Sequence, residues 1–395
     1  MIDYKGMLSR TASGLRPSGI RRFFDIANTM ENVISLGVGE PDFPTPWKIR
    51  RAGIRSLELG STGYTANRGL LRLREEINAY LGRKYGIHYD PTSEILVTVG
   101  GSEAIDMALR ALINPGDEVI IPTPCYVCYE PMTKMAGGVP VTVCTRAEDD
   151  FKLTPDALEG AITDKTKALI LPYPSNPTGA VMERGDLEGI AEVLRGRNIA
   201  VISDEIYSTL TFGGARHASI ASINGMRERT VVVNGFSKAF SMTGWRLGYV
   251  AAPAEIMAEI TKIHQYAIMC APTTAQYGGI VALRDCDEDV ERMREEYDIR
   301  RRLIVKGFCE LGLECREPKG AFYAFPSIRS TGLTSEEFCE RLLHSKRVAL
   351  VPGTAFGESG EGFVRACYAT SMKDIAEAVR RLEVFLKKLK EEQGK

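Results

Sequence analysis

Three short stretches of this 395-residue chain hold residue types that could do chemistry together. Ser237-Lys238 closes the apolar run VVVNGFSK, and Arg246 follows eight residues later. An ammonium at the end of an apolar strand is costly to desolvate. Burial would lower its pKa and leave an amine able to condense with an aldehyde. Alone, such a lysine is more often a surface residue, but Ser237 and Arg246 beside it are suited to hold a phosphate. Asp204 closes AVISDEIY, and a carboxylate at the end of a buried strand needs a partner. That partner is a helix N-terminus, an arginine or a cationic ligand, and capping the next helix is the plain alternative. Tyr207 lies one turn on. Gly100-Gly101-Ser102-Glu103 ends a strand and starts a helix, where converging N–H groups and the helix dipole suit a phosphate. Most such turns are only tight connections.

Taken together, the groups suggest one cofactor. Pyridoxal phosphate has a phosphate for the glycine-serine turn, Ser237 and Arg246, and a ring nitrogen for Asp204. It also has an aldehyde for Lys238 and a phenolic oxygen for Tyr207. Other nucleotide and metal patterns fit poorly. Gly37-Val38-Gly39-Glu40-Pro41-Asp42 lacks the third glycine of a dinucleotide fingerprint, and there is no GxxxxGK[ST]. The four histidines, His88, His217, His264 and His344, are scattered, so no metal is expected. Cys125 and Cys128 form a CxxC without a second pair, read as free thiols at a turn.

The elements that must position these residues alternate in type. Seven strand candidates occupy 94–101, 118–124, 140–144, 167–173, 199–204, 230–236 and 247–251, several of them nearly continuous apolar runs. Helical patterns lie between them, as at 102–113, where Ile105, Ala108, Leu109 and Leu112 share a face. The class is therefore α/β: a large domain with a seven-stranded, mostly parallel sheet flanked by helices. Beyond residue 285 come a long charged helix, short strand candidates at 320–325, 348–351 and 363–369, and a closing helix at 374–388. This order predicts a large domain over 45–285 and a smaller α+β domain from 1–44 and 286–395.

Composition limits the function classes. The chain is 44% apolar and 26% charged, with a formal net charge of −1, so neither disorder nor a polyanion-binding field is indicated. The nine cysteines are odd in number and spread through a long chain, which favours a reducing compartment. No signal peptide or membrane-length apolar stretch is read, and the expected location is cytoplasmic.

LPYPSNPTG (171–179), DEIY (204–207), SKAFSMTGWRLG (237–248), LGVGEPD (36–42) and FVRACY (363–368) closely resemble the class I/II aminotransferases of the aspartate aminotransferase superfamily. The resemblance implies that Lys238 is the Schiff-base lysine and the carrier of the transferred proton, with Asp204 on the ring nitrogen. It makes Asn176 and Tyr207 donors to the ring oxygen. Gly101, Ser102, Ser237 and Arg246 match the phosphate cup. Tyr126, after Pro122-Thr123-Pro124, matches the stacked aromatic residue, with Tyr where many relatives have Trp. Arg365 matches the residue gripping the substrate α-carboxylate, with Asn176 and the Gly39 backbone beside it. Tyr64 resembles the tyrosine reaching the neighbouring subunit's phosphate, which implies a homodimer with shared sites.

The implied reaction is ping-pong transfer of an amino group from an L-amino acid to a 2-oxo acid, with 2-oxoglutarate and glutamate as one pair. Segments 47–51, 226–238 and 264–275 most resemble N-acetyl-diaminopimelate aminotransferases of lysine biosynthesis, with aromatic and aspartate aminotransferases close behind. A cystathionine-type carbon–sulfur β-lyase is the alternative on this scaffold. A transcription regulator's ligand-binding part is a poorer fit, since little chain precedes GVGEPD for a DNA-binding module. Arg21 and Arg22 lie in a segment that could cover the site, although a solvated face is their plain reading.

Overall fold

The computed structural model describes residues 2, 4–17, 19, 26 and 29–394; Arg21 and Arg22 lie outside them. After a two-residue strand, β1 (Ile34–Ser35), come the strands of the large sheet. They are β2 (Ile95–Thr98), β3 (Glu118–Thr123), β4 (Val139–Cys144), β5 (Thr166–Leu171), β6 (Ala200–Asp204), β7 (Thr230–Gly235) and β8 (Gly248–Ala251). Their order is β2-β8-β7-β6-β5-β3-β4. Each of the seven candidates forms a strand. The apolar runs are continuous because helices cover both faces. On one face, Ile121, Ile170 and Ile202 pack with Ile105 of the helix Gly100–Leu112 and Met257 of the helix Ala254–Ala267. On the other, Leu169 and Val201 pack with Leu187 and Ile190 of Arg184–Leu194. Val97 and Val232 there meet Leu73 and Ile280 of the helices Leu71–Tyr85 and Thr273–Asp285. Burying each such side chain contributes about 1.5–3 kcal/mol.

The sheet is parallel except at β8, which runs antiparallel to both β7 and β2. The reason lies in the connection. Twelve residues join β7 to β8 with only one short 3₁₀ turn, Thr243–Trp245, and no crossover helix, so the chain returns at the end where it left. That return loop carries Lys238 and Arg246.

A smaller α+β part follows. The helix Asp287–Glu310 opens with Asp287, Glu288 and Asp289, which suit its positive N-terminal end. β9 (Tyr323–Ala324), β11 (Val351–Pro352) and β12 (Val364–Cys367) form an antiparallel sheet in the order β11-β12-β9. β10 (Val348–Ala349) pairs instead with β1 in parallel. The stretch read as one strand over 348–351 is thus two, divided at Leu350 because its halves serve different sheets. The closing helix Met372–Glu392 starts at Ser371, whose hydroxyl accepts the Asp374 N–H at 3.1 Å.

Candidate active site

Parallel strands direct their C-terminal ends to one edge, and the side chains that could do chemistry collect there. β2 runs into Gly100, which has φ of +78°. A Cβ at Gly100 would lie 2.9 Å from Nη2 of Arg246, so the turn needs glycine for both conformation and space. Gly101 and Ser102 follow in the first turn of the helix. β3 leads through Pro124 and Cys125 to Tyr126. β5 leads through Pro172 and Pro174 to Asn176. β6 delivers Asp204 and Tyr207, and β7 delivers Ser237 and Lys238.

From the smaller part come Arg365 on β12, Tyr323 on β9 and the loop after β1 with Gly39. These groups line one cavity of about 560 Å³. Eleven of the twelve residues singled out in the sequence meet there: Gly39, Gly101, Ser102, Tyr126, Asn176, Asp204, Tyr207, Ser237, Lys238, Arg246 and Arg365. Tyr64 does not; it stands 85% exposed.

Lys238 Nζ donates to the Gly39 carbonyl at 2.6 Å, and burial lowers its pKa to about 8. The Asp204 carboxyl is moved the opposite way by the same cause, up to about 6. Its Oδ2 accepts the Tyr129 hydroxyl at 2.8 Å and its Oδ1 the Ile206 N–H at 3.2 Å. The second bond is a local turn contact, and no helix follows for Asp204 to cap. The next residue, Glu205, turns away to His217, Ser203 and Ser219 and takes no part in the cavity.

Arg365 is 1% exposed. Its Nη1 donates to Asn176 Oδ1 at 2.9 Å and its Nη2 to the Gly37 carbonyl at 2.5 Å. The guanidinium carbon lies 4.5 Å from the centre of the Tyr323 ring, and Nε has no hydrogen-bond partner among the described residues. A buried cation fixed on two sides, with its Nε–H unspent, is prepared for an anion.

Three further residues of the site escaped the sequence reading. Tyr129 holds Asp204; the signal was its place three residues after Tyr126. Tyr323 shares a hydroxyl–hydroxyl bond of 2.8 Å with Tyr207. Its hydroxyl would lie 2.3 Å from a Cβ at position 39, so Gly39 is required by that approach. Glu40 accepts the Thr243 hydroxyl at the cavity wall. Cys125 and Cys128, read in the sequence as free thiols, are free and do not line the cavity.

The donor set fits pyridoxal phosphate. A neutralisable buried amine and a buried carboxylate face one cavity, and a glycine turn that a Cβ would fill sits beside an arginine.

The comparisons with known proteins agree. Residues 31–382 match the model of the family described as aminotransferase class I and II. The chain is 53% identical to the putative aminotransferase YugH of Bacillus subtilis, with 96% of this chain and 98% of that one covered. It is 44% identical to the probable N-acetyl-LL-diaminopimelate aminotransferase of the same organism, over 98% and 97% of the two chains. The solved aromatic aminotransferase from Pyrococcus horikoshii superposes with a TM-score of 0.90 at 49% identity, covering 93% of this chain and 99% of that one. Among the described residues, no helix is long and apolar enough to cross a membrane. This chain therefore belongs to the class I and II aminotransferases, enzymes of the aspartate aminotransferase fold that work with pyridoxal 5′-phosphate.

Proposed function

We propose that the enzyme moves the amino group of an L-amino acid to a 2-oxo acid, with Lys238 as the group that carries the proton. The observation behind this reading is the buried Lys238–Asp204–Arg365 arrangement around one cavity. When bound, pyridoxal phosphate supplies a carbonyl for the amine and a ring that takes up the charge left at the substrate Cα.

The chain's residues do the rest. Gly101, Ser102, Ser237 and Arg246 hold the phosphate, and Tyr126 lies against the ring. Asp204, kept ionised by the Tyr129 hydroxyl and a ring cation, holds a proton on the ring nitrogen. Asn176 and Tyr207 reach the ring oxygen. Arg365 takes the α-carboxylate, with Asn176 and the Gly39 backbone beside it. Lys238 Nζ, with its lowered pKa, takes the Cα proton and returns it.

Segments 47–51, 226–238 and 264–275 support N-acetyl-diaminopimelate as donor with 2-oxoglutarate as acceptor. A second reading, an aromatic donor, is favoured by the lining. Tyr126, Tyr129, Tyr207 and Tyr323 surround the cavity, and among the described lining residues the cations are Lys238, Arg246 and Arg365, all with roles above. Aspartate would ask for one more.

A homodimer fits the same reading. Tyr64 and Tyr266 are 85% and 87% exposed, and Trp47, Leu57 and Leu59 are also open to solvent; a second copy would cover such an apolar face. Tyr64 is then placed for the other site's phosphate. The division at 44/45 and 285/286 is part of this proposal, supported by the pairing of β1 with β10.

The test is a half-reaction screen without acceptor. Bleaching of the bound cofactor's visible band is followed against phenylalanine, tyrosine, aspartate and N-acetyl-diaminopimelate. Borohydride should fix the cofactor to Lys238, and a label on another lysine would overturn the assignment. Release of pyruvate and ammonia without any 2-oxo acid would show a β-lyase instead.

A further inference from the structure

The helix that begins at the phosphate turn carries a second buried contact outside the cavity. One carboxylate oxygen of Glu103, Oε2, accepts the backbone N–H of Val99. Val99 is the residue before Gly100-Gly101-Ser102, so Glu103 closes the turn from behind. The other oxygen, Oε1, lies 2.5 Å from Nδ1 of His264. His264 sits near the end of the helix Ala254–Ala267 and is fully buried. Its Nε2 is buried with no hydrogen-bond partner among the described residues. A proton there would have no acceptor, so the satisfied arrangement has the proton on Nδ1, donated to Glu103.

The main chain of the same histidine serves another neighbour. Its carbonyl accepts the N–H groups of Ile268 at 2.8 Å and Met269 at 3.1 Å, which ends the helix. Met269, with φ of +72°, then turns the chain, and its carbonyl accepts Nδ2 of Asn67 at 2.9 Å. Thr273 adds a bond from its hydroxyl to the Gly63 carbonyl at 2.7 Å. Asn67 and Gly63 flank Tyr64. One residue thus holds the phosphate turn through its side chain and the Tyr64 loop through its backbone.

We infer that His264 is a positioning residue: through Glu103 it fixes the Gly100–Ser102 turn in its phosphate-binding shape and ties that turn to the loop bearing Tyr64. This rests on the proposed role of Gly101 and Ser102 in holding the phosphate. A buried pair that merely satisfied itself in the core would support the whole fold without favouring the phosphate over the rest of the cofactor.

Displacement of bound pyridoxal phosphate from the holoenzyme by pyridoxal, which lacks the phosphate, separates these readings. His264→Ala and Glu103→Gln should each lower the preference for pyridoxal phosphate over pyridoxal by about tenfold or more. His264→Asn, whose amide N–H can replace Nδ1–H, should keep that preference within about threefold of the parent. Backbone hydrogen exchange over residues 99–104 should quicken in His264→Ala and not in His264→Asn, whereas residues 62–69, reached through the main-chain carbonyl that both variants keep, should change less. An unchanged preference in both His264→Ala and Glu103→Gln, or equal weakening toward both ligands, would overturn the inference. Ser102→Ala is the control for its premise: if that variant keeps full preference for the phosphate, the phosphate assignment has failed. Should His264→Ala not fold, Glu103→Gln and His264→Asn decide the matter between them.

Discussion

Replacing Asp204 by Asn should stabilise the cofactor-free protein while weakening its response to cofactor. Burial raises the Asp204 carboxyl from 3.8 to about 6, which corresponds to about 3 kcal/mol held against the charged form at neutral pH. The sign follows from proton binding. Between about pH 4 and 6 the folded state keeps a proton that the unfolded state has lost, so stability from this group falls as pH rises through that window. Above it the loss is complete. Asn carries no charge to bury. Its oxygen can still accept the Ile206 N–H, and Tyr129 can turn its hydroxyl to accept from the amide.

Urea unfolding of cofactor-free protein at pH 7.5 should therefore show Asp204→Asn more stable by up to about 3 kcal/mol, less whatever the two charge-assisted bonds contribute. The wild-type decline between pH 4 and 6 should be correspondingly smaller in the variant. Adding pyridoxal phosphate should then stabilise the wild type more than the variant, because only the wild type gains a cation for its carboxylate. A variant that is less stable than wild type at pH 7.5, with the same pH dependence, would refute the claim that the buried charge is costly before the cofactor arrives.

Gly39→Ala should raise the KM for amino acids about tenfold through the clash with the Tyr323 hydroxyl, and Tyr323→Phe in the same chain should recover part of the loss; steady-state kinetics of the pair decides. Gly100→Ala adds a side chain at positive φ and displaces Arg246, costing roughly 1–2 kcal/mol locally; loss of cofactor on dialysis should be faster, and equal retention would contradict the cradle. Capture of pyridoxal phosphate by cofactor-free enzyme should accelerate with pH and level off above about 8, as Lys238 loses its proton; a rate that goes on rising to about pH 10 would count against a lysine with a lowered pKa.

The large sheet was legible because its strands are buried on both faces and so read as unbroken apolar runs, Val231-Val232-Val233 being the clearest. The direction of β8 was not, since it depends on how the loop from 236 to 247 travels rather than on any residue in the strand. The site was readable wherever a charged or polar residue ends an apolar run, as Asp204 and Lys238 do. Tyr323 lies inside the run GAFYAF, where its hydroxyl's direction depends on which neighbours flank the strand. Glu103 and His264 stand 161 residues apart, and no local pattern links them.

The substrate clamp is among the last pieces of the chain to be made. Residues for the phosphate, the ring and the lysine all lie before position 250, whereas Arg365 sits on β12 and donates to the oxygens of Asn176 and Gly37. During N-to-C synthesis the cofactor groove can form well before the carboxylate grip exists. The group that grips the substrate is therefore completed later in synthesis than the groups that hold the cofactor.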